Sequence, residues 1–309
     1  MLISEILSSL AMIFIMMVPG FIFRKKDLLD EHQVDAVTSV TVNLTWPCLV
    51  IDAMQVNFSI DILKQSGYIM AVSMVLFAVI ALIGFSVAKL MKLSSGKRYL
   101  MVFALIFGNT GFIGIPVMKA LYGSEALFFT AIIELVNDIF MFTVGITLIQ
   151  LSAGKKSKLE PKELLSPGMI GVLIGLILFL ADFRLPEMLG GSVEMIGNAT
   201  TPLAMFVIGY QLGSMKVRTL LGEWQVYVVI FFKLVVIPVL ALVFVKILAE
   251  EFSLMEKVIV LCFAMPAASA SVLFSRQYHG ETDFATKVVL LSTLCSLAVI
   301  PLFAIIIEL

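Results

Sequence analysis

Apolar residues run through this chain in long blocks, and most charged residues are confined to the short gaps between them. About 20 consecutive apolar residues in a helix cross a hydrocarbon core roughly 30 Å thick. Ten blocks of that kind read as membrane spans, near residues 4–23, 33–54, 66–88, 99–122, 125–151, 168–183, 191–214, 224–248, 257–278 and 284–307. No basic stretch precedes the first block, and Arg24-Lys25-Lys26 follow it. A cleaved leader has the reverse order, so this block is expected to remain a helix.

Composition sharpens the class. The chain has 309 residues, of which 61% are hydrophobic and 14% charged, against about 45–50% and 25% in an ordinary soluble domain. Ten spans leave no room for a separate soluble domain of usual size. A net charge of −1 offers no basic face for nucleic acid. Cys48, Cys262 and Cys295 all lie in apolar runs, and the histidines are only His32 and His279. Neither a disulfide framework nor a metal site is expected from that supply. The expected fold class is an all-α polytopic membrane protein seated in a lipid bilayer.

The basic residues give it a direction. The odd-numbered connections hold 15 Lys and Arg and the even ones hold 5, while Lys233 lies inside a span. Positive residues stay on the cytoplasmic side, so both termini are expected to be extracytoplasmic. Residues 152–166, polar and Lys-rich, read as a cytoplasmic linker between a first half, 1–151, and a second half, 167–309.

The halves resemble each other. At a shift of 155, Asn43-Leu-Thr-Trp-Pro47 matches Asn198-Ala-Thr-Thr-Pro202, Gly20 falls on Gly175 and Asp27 on Asp182. At a shift of 156, Phe107 falls on Phe263, Tyr122 on Tyr278 and Glu125 on Glu281. Five spans per half is an odd number, so the second half enters the membrane from the opposite side. Two inverted five-helix repeats are the expected architecture, a design common among secondary transporters.

Spans four and nine hold equivalent places in that repeat, and both carry helix breakers at mid-membrane depth. Span four reads Gly108-Asn109-Thr110-Gly111-Phe112-Ile113-Gly114-Ile115-Pro116, and span nine reads Ala264-Met265-Pro266-Ala267-Ala268-Ser269-Ala270-Ser271. Glycines and prolines weaken a helix interior, whereas proline suits the first turn of a new one. Gly108, Gly114, Pro116 and Pro266 are the expected breaks. Unwound backbone is tolerated there only against protein or a water-filled cavity. Two crossing breaks would aim half-helix N-termini at one point, which favours an anion such as a carboxylate.

The string Gly108 to Val117, ending near Leu121-Tyr122-Gly123, resembles the fourth span of the auxin efflux carrier family, which includes bacterial permeases and plant PIN-type exporters. Met265-Pro266 through Phe274-Ser-Arg-Gln-Tyr278 is similar to that family's second crossover. The resemblance covers essentially the whole chain. It implies a fold akin to bile-acid sodium symporters, with spans 1, 2, 6 and 7 as a scaffold and spans 3–5 and 8–10 as a moving transport domain. It also implies homodimers and an elevator-type motion. Carried over by position, Asn109 matches the asparagine that contacts the substrate carboxylate in PIN-type carriers. Gly108 stands where plant members have proline, so plant-like pocket geometry does not carry over.

The substrate-binding candidates are therefore Asn109, Thr110, Gly111, Pro266, Ala267 and Ser269, with Asn43 and Asn198 approaching from the scaffold side or simply capping backbone freed by Pro47 and Pro202. Glu134 and Asp138 lie one turn apart in span five, with Asn137 adjacent. Their repeat counterparts are Leu290 and Leu294. Intramembrane acids cost about 2.5–3.5 kcal/mol each on insertion scales, which makes them functional candidates. With Lys233 they form the candidate coupling set for H⁺ or Na⁺, or else a structural ion pair of Lys233 with one acid. No deep arginine supplies a bidentate carboxylate clamp. The expected function is secondary transport of a small organic anion (malate, malonate or an auxin-like acid) across the cell membrane, with no cofactor. An intramembrane enzyme or a channel using Glu134 and Asp138 is the alternative.

Overall fold

A computed structural model describes residues 3–156, 166–214, 223–249 and 252–308. Most of the expected 152–166 linker, with Lys158 and Lys162, lies outside the described residues, as do Lys216 and Arg218 of the charge count. The described residues are helical, with a single isolated antiparallel bridge in place of any strand. Among the described residues, six continuous helical stretches are long and apolar enough to cross a membrane: Ile3–Lys25, Glu31–Ala53, Ile60–Leu90, Thr110–Ser152, Trp224–Leu248 and Thr282–Ile306. Pro167–Leu180 is apolar but shorter. The other expected spans are divided. Span seven is Glu187–Asn198 followed by Thr200–Gly213, and span nine is Leu254–Phe263 followed by Ala270–Tyr278. Span four begins as Ser95–Ile106, breaks, and resumes at Thr110.

Local chemistry explains the irregularities. Thr41–Thr45, Thr110–Gly114 and Phe232–Val236 are widened π turns, and each is followed two residues later by proline: Pro47, Pro116 and Pro238. Proline lacks the N–H that would close the usual bond to the fourth residue back, so the turn before it opens. Within Thr110–Ser152 the helix stops at Gly123 (φ 74°, ψ −160°), a conformation that glycine alone adopts cheaply. That break separates spans four and five.

The chain forms two compact units. The first comprises Met1–Met70, Gly111–Leu135 and Leu165–Met215. It holds spans one, two, six and seven, and it also takes in the second part of span four and the start of span five. Glycine lets its backbones touch. A Cβ on Gly209 would stand 1.9 Å from the carbonyl oxygen of Met17, and one on Gly20 would stand 2.0 Å from that of Phe206. Gly171 and Gly197 do the same for Pro47 and Leu49. Lipid tails are as apolar as leucine, so such close packing replaces the hydrophobic drive of a soluble core. Asp27 and Asp182, matched at the shift of 155, share one turn: both have φ 49°. Leu28 N–H donates to Phe23 O at 2.9 Å, and Phe183 N–H donates to Leu178 O at 2.9 Å.

The second unit comprises Ala71–Thr110, Val136–Leu164 and Lys216–Leu309. Phe77 is its aromatic hub, with ring centroids 5.5 Å from Phe140, 5.1 Å from Phe263 and 6.3 Å from Phe107. At one end, Glu223 accepts from Lys97 at 2.6 Å and from Lys287 at 2.8 Å, and Lys287 also pairs with Asp283 at 2.5 Å. This cluster ties together the starts of the Ser95–Ile106, Trp224–Phe231 and Thr282–Ile306 helices.

Candidate functional site

The two broken stretches meet inside the second unit. The Ser95–Ile106 helix ends at Ile106, Phe107 turns extended (φ −92°, ψ 123°), and helix resumes at Thr110. The Leu254–Phe263 helix ends before Ala264, and a new helix starts at Ala270. Gly108 and Ala267 face each other as an antiparallel bridge. Asn109 N–H donates to Pro266 O at 2.7 Å, and Ala268 N–H donates to Phe107 O at 3.1 Å. The backbone groups freed by both breaks thus satisfy one another, as an environment without water requires.

Side chains complete the crossing. Asn109 Nδ2 donates to Ser269 Oγ at 3.1 Å. Ala267 N–H donates to Ser292 Oγ at 3.2 Å, and Ser292 in turn donates to Val289 O at 3.0 Å. Ser271 donates to Ala268 O at 2.8 Å, at the start of the new half-helix. Asn109 and Thr110 are buried. Each broken stretch re-enters helix directly after the bridge, so two helix starts, at Thr110 and Ala270, stand beside the crossing. Ser292 is absent from the residues singled out by sequence. Its only signal is a hydroxyl in the apolar run Val288-Val289-Leu290-Leu291-Ser292.

Lys233 joins this neighbourhood from the π turn Phe232–Val236. Its ammonium donates to Leu105 O at 3.0 Å, and it makes no ion pair with an acid among the described residues. A carbonyl, not a carboxylate, is its partner.

Other candidates stand elsewhere. Gly111 belongs to the first unit, where a Cβ would stand 2.0 Å from the Trp46 ring. Gly114 closes the π turn and Pro116 opens the regular helix after it. Asn43 and Asn198 are also in the first unit. Asn43 Nδ2 donates back to Ser39 O at 2.7 Å on its own helix, and Asn198 Oδ1 accepts from Lys119. Glu134, Asn137 and Asp138 are all buried on the Ile115–Phe140 helix. Asn137 Oδ1 has no hydrogen-bond partner among the described residues.

The model of the family described as "Membrane transport protein" matches residues 5–304. A Methanothermobacter thermautotrophicus protein named as an uncharacterized transporter is 23% identical over 297 residues, covering 95% of this chain and 96% of its own. Auxin efflux carrier component 8 of Arabidopsis thaliana is 21% identical over 243 residues, covering 62% of this chain and 66% of its own. A Rhizobium meliloti protein whose name provisionally assigns it malonate transport is 22% identical over 205 residues, covering 64% and 63%.

Proposed function

Because the chain belongs to the membrane transport protein family, and is therefore a transporter and not an enzyme, we propose that it is a secondary carrier of a small organic anion. Malonate, malate and an auxin-like acid are the carboxylates to consider, and the cell membrane is the expected location. The crossing carries this reading. Asn109 and the positive ends of the helices that start at Thr110 and Ala270 are brought together there, a setting suited to a carboxylate. The names of the Arabidopsis and Rhizobium relatives, which mention auxin efflux and malonate, support the same ligand class.

The mechanism we propose is elevator-type alternating access by ten spans arranged as two inverted repeats. The division into two compact units supports it, since one body must move against another, and one unit holds the entire crossing. The shared turn at Asp27 and Asp182 supports the repeat. A homodimer fits the family resemblance. Glu134 and Asp138 bind the coupling H⁺ or Na⁺ in this scheme, and Asn137 Oδ1, without a hydrogen-bond partner among the described residues, is an acceptor that a cation or a proton-bearing group fills. No cofactor takes part.

Counterflow in proteoliposomes tests the carrier, with labelled malonate, malate and indole acetate offered one at a time. Saturable exchange of one of them is the expected result, and exchange of none would contradict it. For coupling, Glu134→Gln and Asp138→Asn should flatten the dependence of flux on pH or Na⁺. Unchanged dependence in both variants would remove these acids from the scheme.

A further inference from the structure

Lys233 is 1% exposed. Of the three donors on its ammonium, one is used by Leu105 O at 3.0 Å, and no carboxylate among the described residues is ion-paired with it. Burying a charge without a partner is costly, so something must offset it. Part of the offset is visible. Leu105 is the penultimate residue of the Ser95–Ile106 helix, and the terminal carbonyls of a helix carry about half a negative charge. That end of the helix offsets the ammonium only in part. The ammonium lies against the crossing: a Cβ on Gly108 would stand 3.5 Å from Lys233 Nζ. Gly108 pairs with Ala267, and Asn109 is the next residue.

We propose that Lys233 is a positioning residue whose charge makes the crossing selective for anions, and for dianions over monoanions of the same size. This rests on the anion-carrier reading and extends it to the charge of the substrate. Lys233 acts here through its field and through the Leu105–Asn109 backbone, without touching the substrate. A merely structural lysine would cap the Leu105 carbonyl, which requires a donor but no charge. A field requires the charge, and its effect grows with the charge on the ligand.

The test is counterflow of labelled malonate, a dianion at neutral pH, beside malonamate, its monoanionic amide of similar size. Wild type is compared with Lys233→Gln, which keeps a donor, and Lys233→Arg, which keeps the charge. In K233Q the KM for malonamate should rise on the order of 5-fold and that for malonate by about the square of that factor, because interaction energy scales with ligand charge. K233R should stay near wild type. Equal rises for both anions, or a fall in Vmax at constant KM, would overturn the proposal and leave Lys233 as a cap. If K233Q does not fold, wild type alone decides. Its KM must be lower for malonate than for malonamate, and equal or inverted values overturn the proposal. Wild-type counterflow of neither anion would instead overturn the anion-carrier reading on which the proposal stands.

Discussion

Thr200 donates its hydroxyl hydrogen to Thr45 Oγ1 across 2.9 Å, and the two threonines stand 155 residues apart. That is the shift at which Gly20 meets Gly175 and Asp27 meets Asp182. Such a contact is what the proposed two-fold repeat requires at its centre. Thr45 also donates to Thr41 O at 3.2 Å, so the two hydroxyls are not equally dependent on each other. Thr45→Val leaves the buried Thr200 donor without its acceptor and should cost about 1–3 kcal/mol. Thr200→Val removes only an acceptor's partner and should cost less. The double variant should cost less than the sum of the two. Thermal unfolding of the purified protein reads all three.

Backbone contact in the first unit makes an opposite pair of glycine predictions. Gly209→Ala drives a methyl to 1.9 Å from Met17 O, which no side-chain rotation relieves. The helices must part, at a cost of about 1–3 kcal/mol or more. Gly67 lies exposed in the Ile60–Leu90 helix with nothing within 4 Å of a new Cβ. Gly67→Ala should stabilise by up to about 1 kcal/mol. Equal effects at the two sites would contradict the packing described.

Acid should loosen the second unit through Glu223. Hydrogen bonds from Lys287 and then Lys97 hold its carboxyl below the ordinary value of 4.5. A carboxyl whose folded value is depressed contributes stability above its unfolded value and loses it as pH falls through the folded one. The midpoint of thermal unfolding should therefore drop as pH is lowered below about 4.5. Glu223→Gln should be less stable at neutral pH and should show less of that acid dependence. An acid limb as steep as wild type in the variant would assign the loss to other groups.

Much of this was legible in the residues, and the reasons differ by element. Glycine and proline spacing marked the breaks in spans four and nine, because those residues act locally on the helix around them. The internal shift of 155 pointed to the matched turns at Asp27 and Asp182. Asn109 was legible from its place between the glycines. Its partner Ser269 was named with it, but the hydrogen bond between them depends on how two stretches 160 residues apart cross. The contacts made by Lys233 and Ser292 were not legible for the same reason. A π turn sets the course of the Lys233 helix, and the carbonyl it meets belongs to a helix end 128 residues away in the chain. Asn43 and Asn198 sit at matched positions yet turn to Ser39 and Lys119: Asn43 bonds back one turn on its own helix, as asparagine does locally, while Asn198 meets a lysine 79 residues away in the chain.

Ser269→Ala separates the crossing's side-chain bond from its backbone. It leaves the bridge at Gly108 and Ala267 intact and removes the acceptor for Asn109 Nδ2. A neutral hydrogen bond of this kind contributes about 0.5–1.5 kcal/mol. A rise in KM for the transported anion of roughly 2–10-fold is expected, with folding little changed. Unaltered kinetics would mean that Asn109 needs no help in holding its orientation.

The most direct measurement is malonate counterflow by wild type and Asn109→Ala in parallel proteoliposomes. Wild type should exchange malonate saturably, and the variant should lose at least about 10-fold in KM, as expected when a buried donor to a carboxylate is removed. Exchange by the variant at the wild-type KM and rate would contradict the placement of the substrate at the crossing.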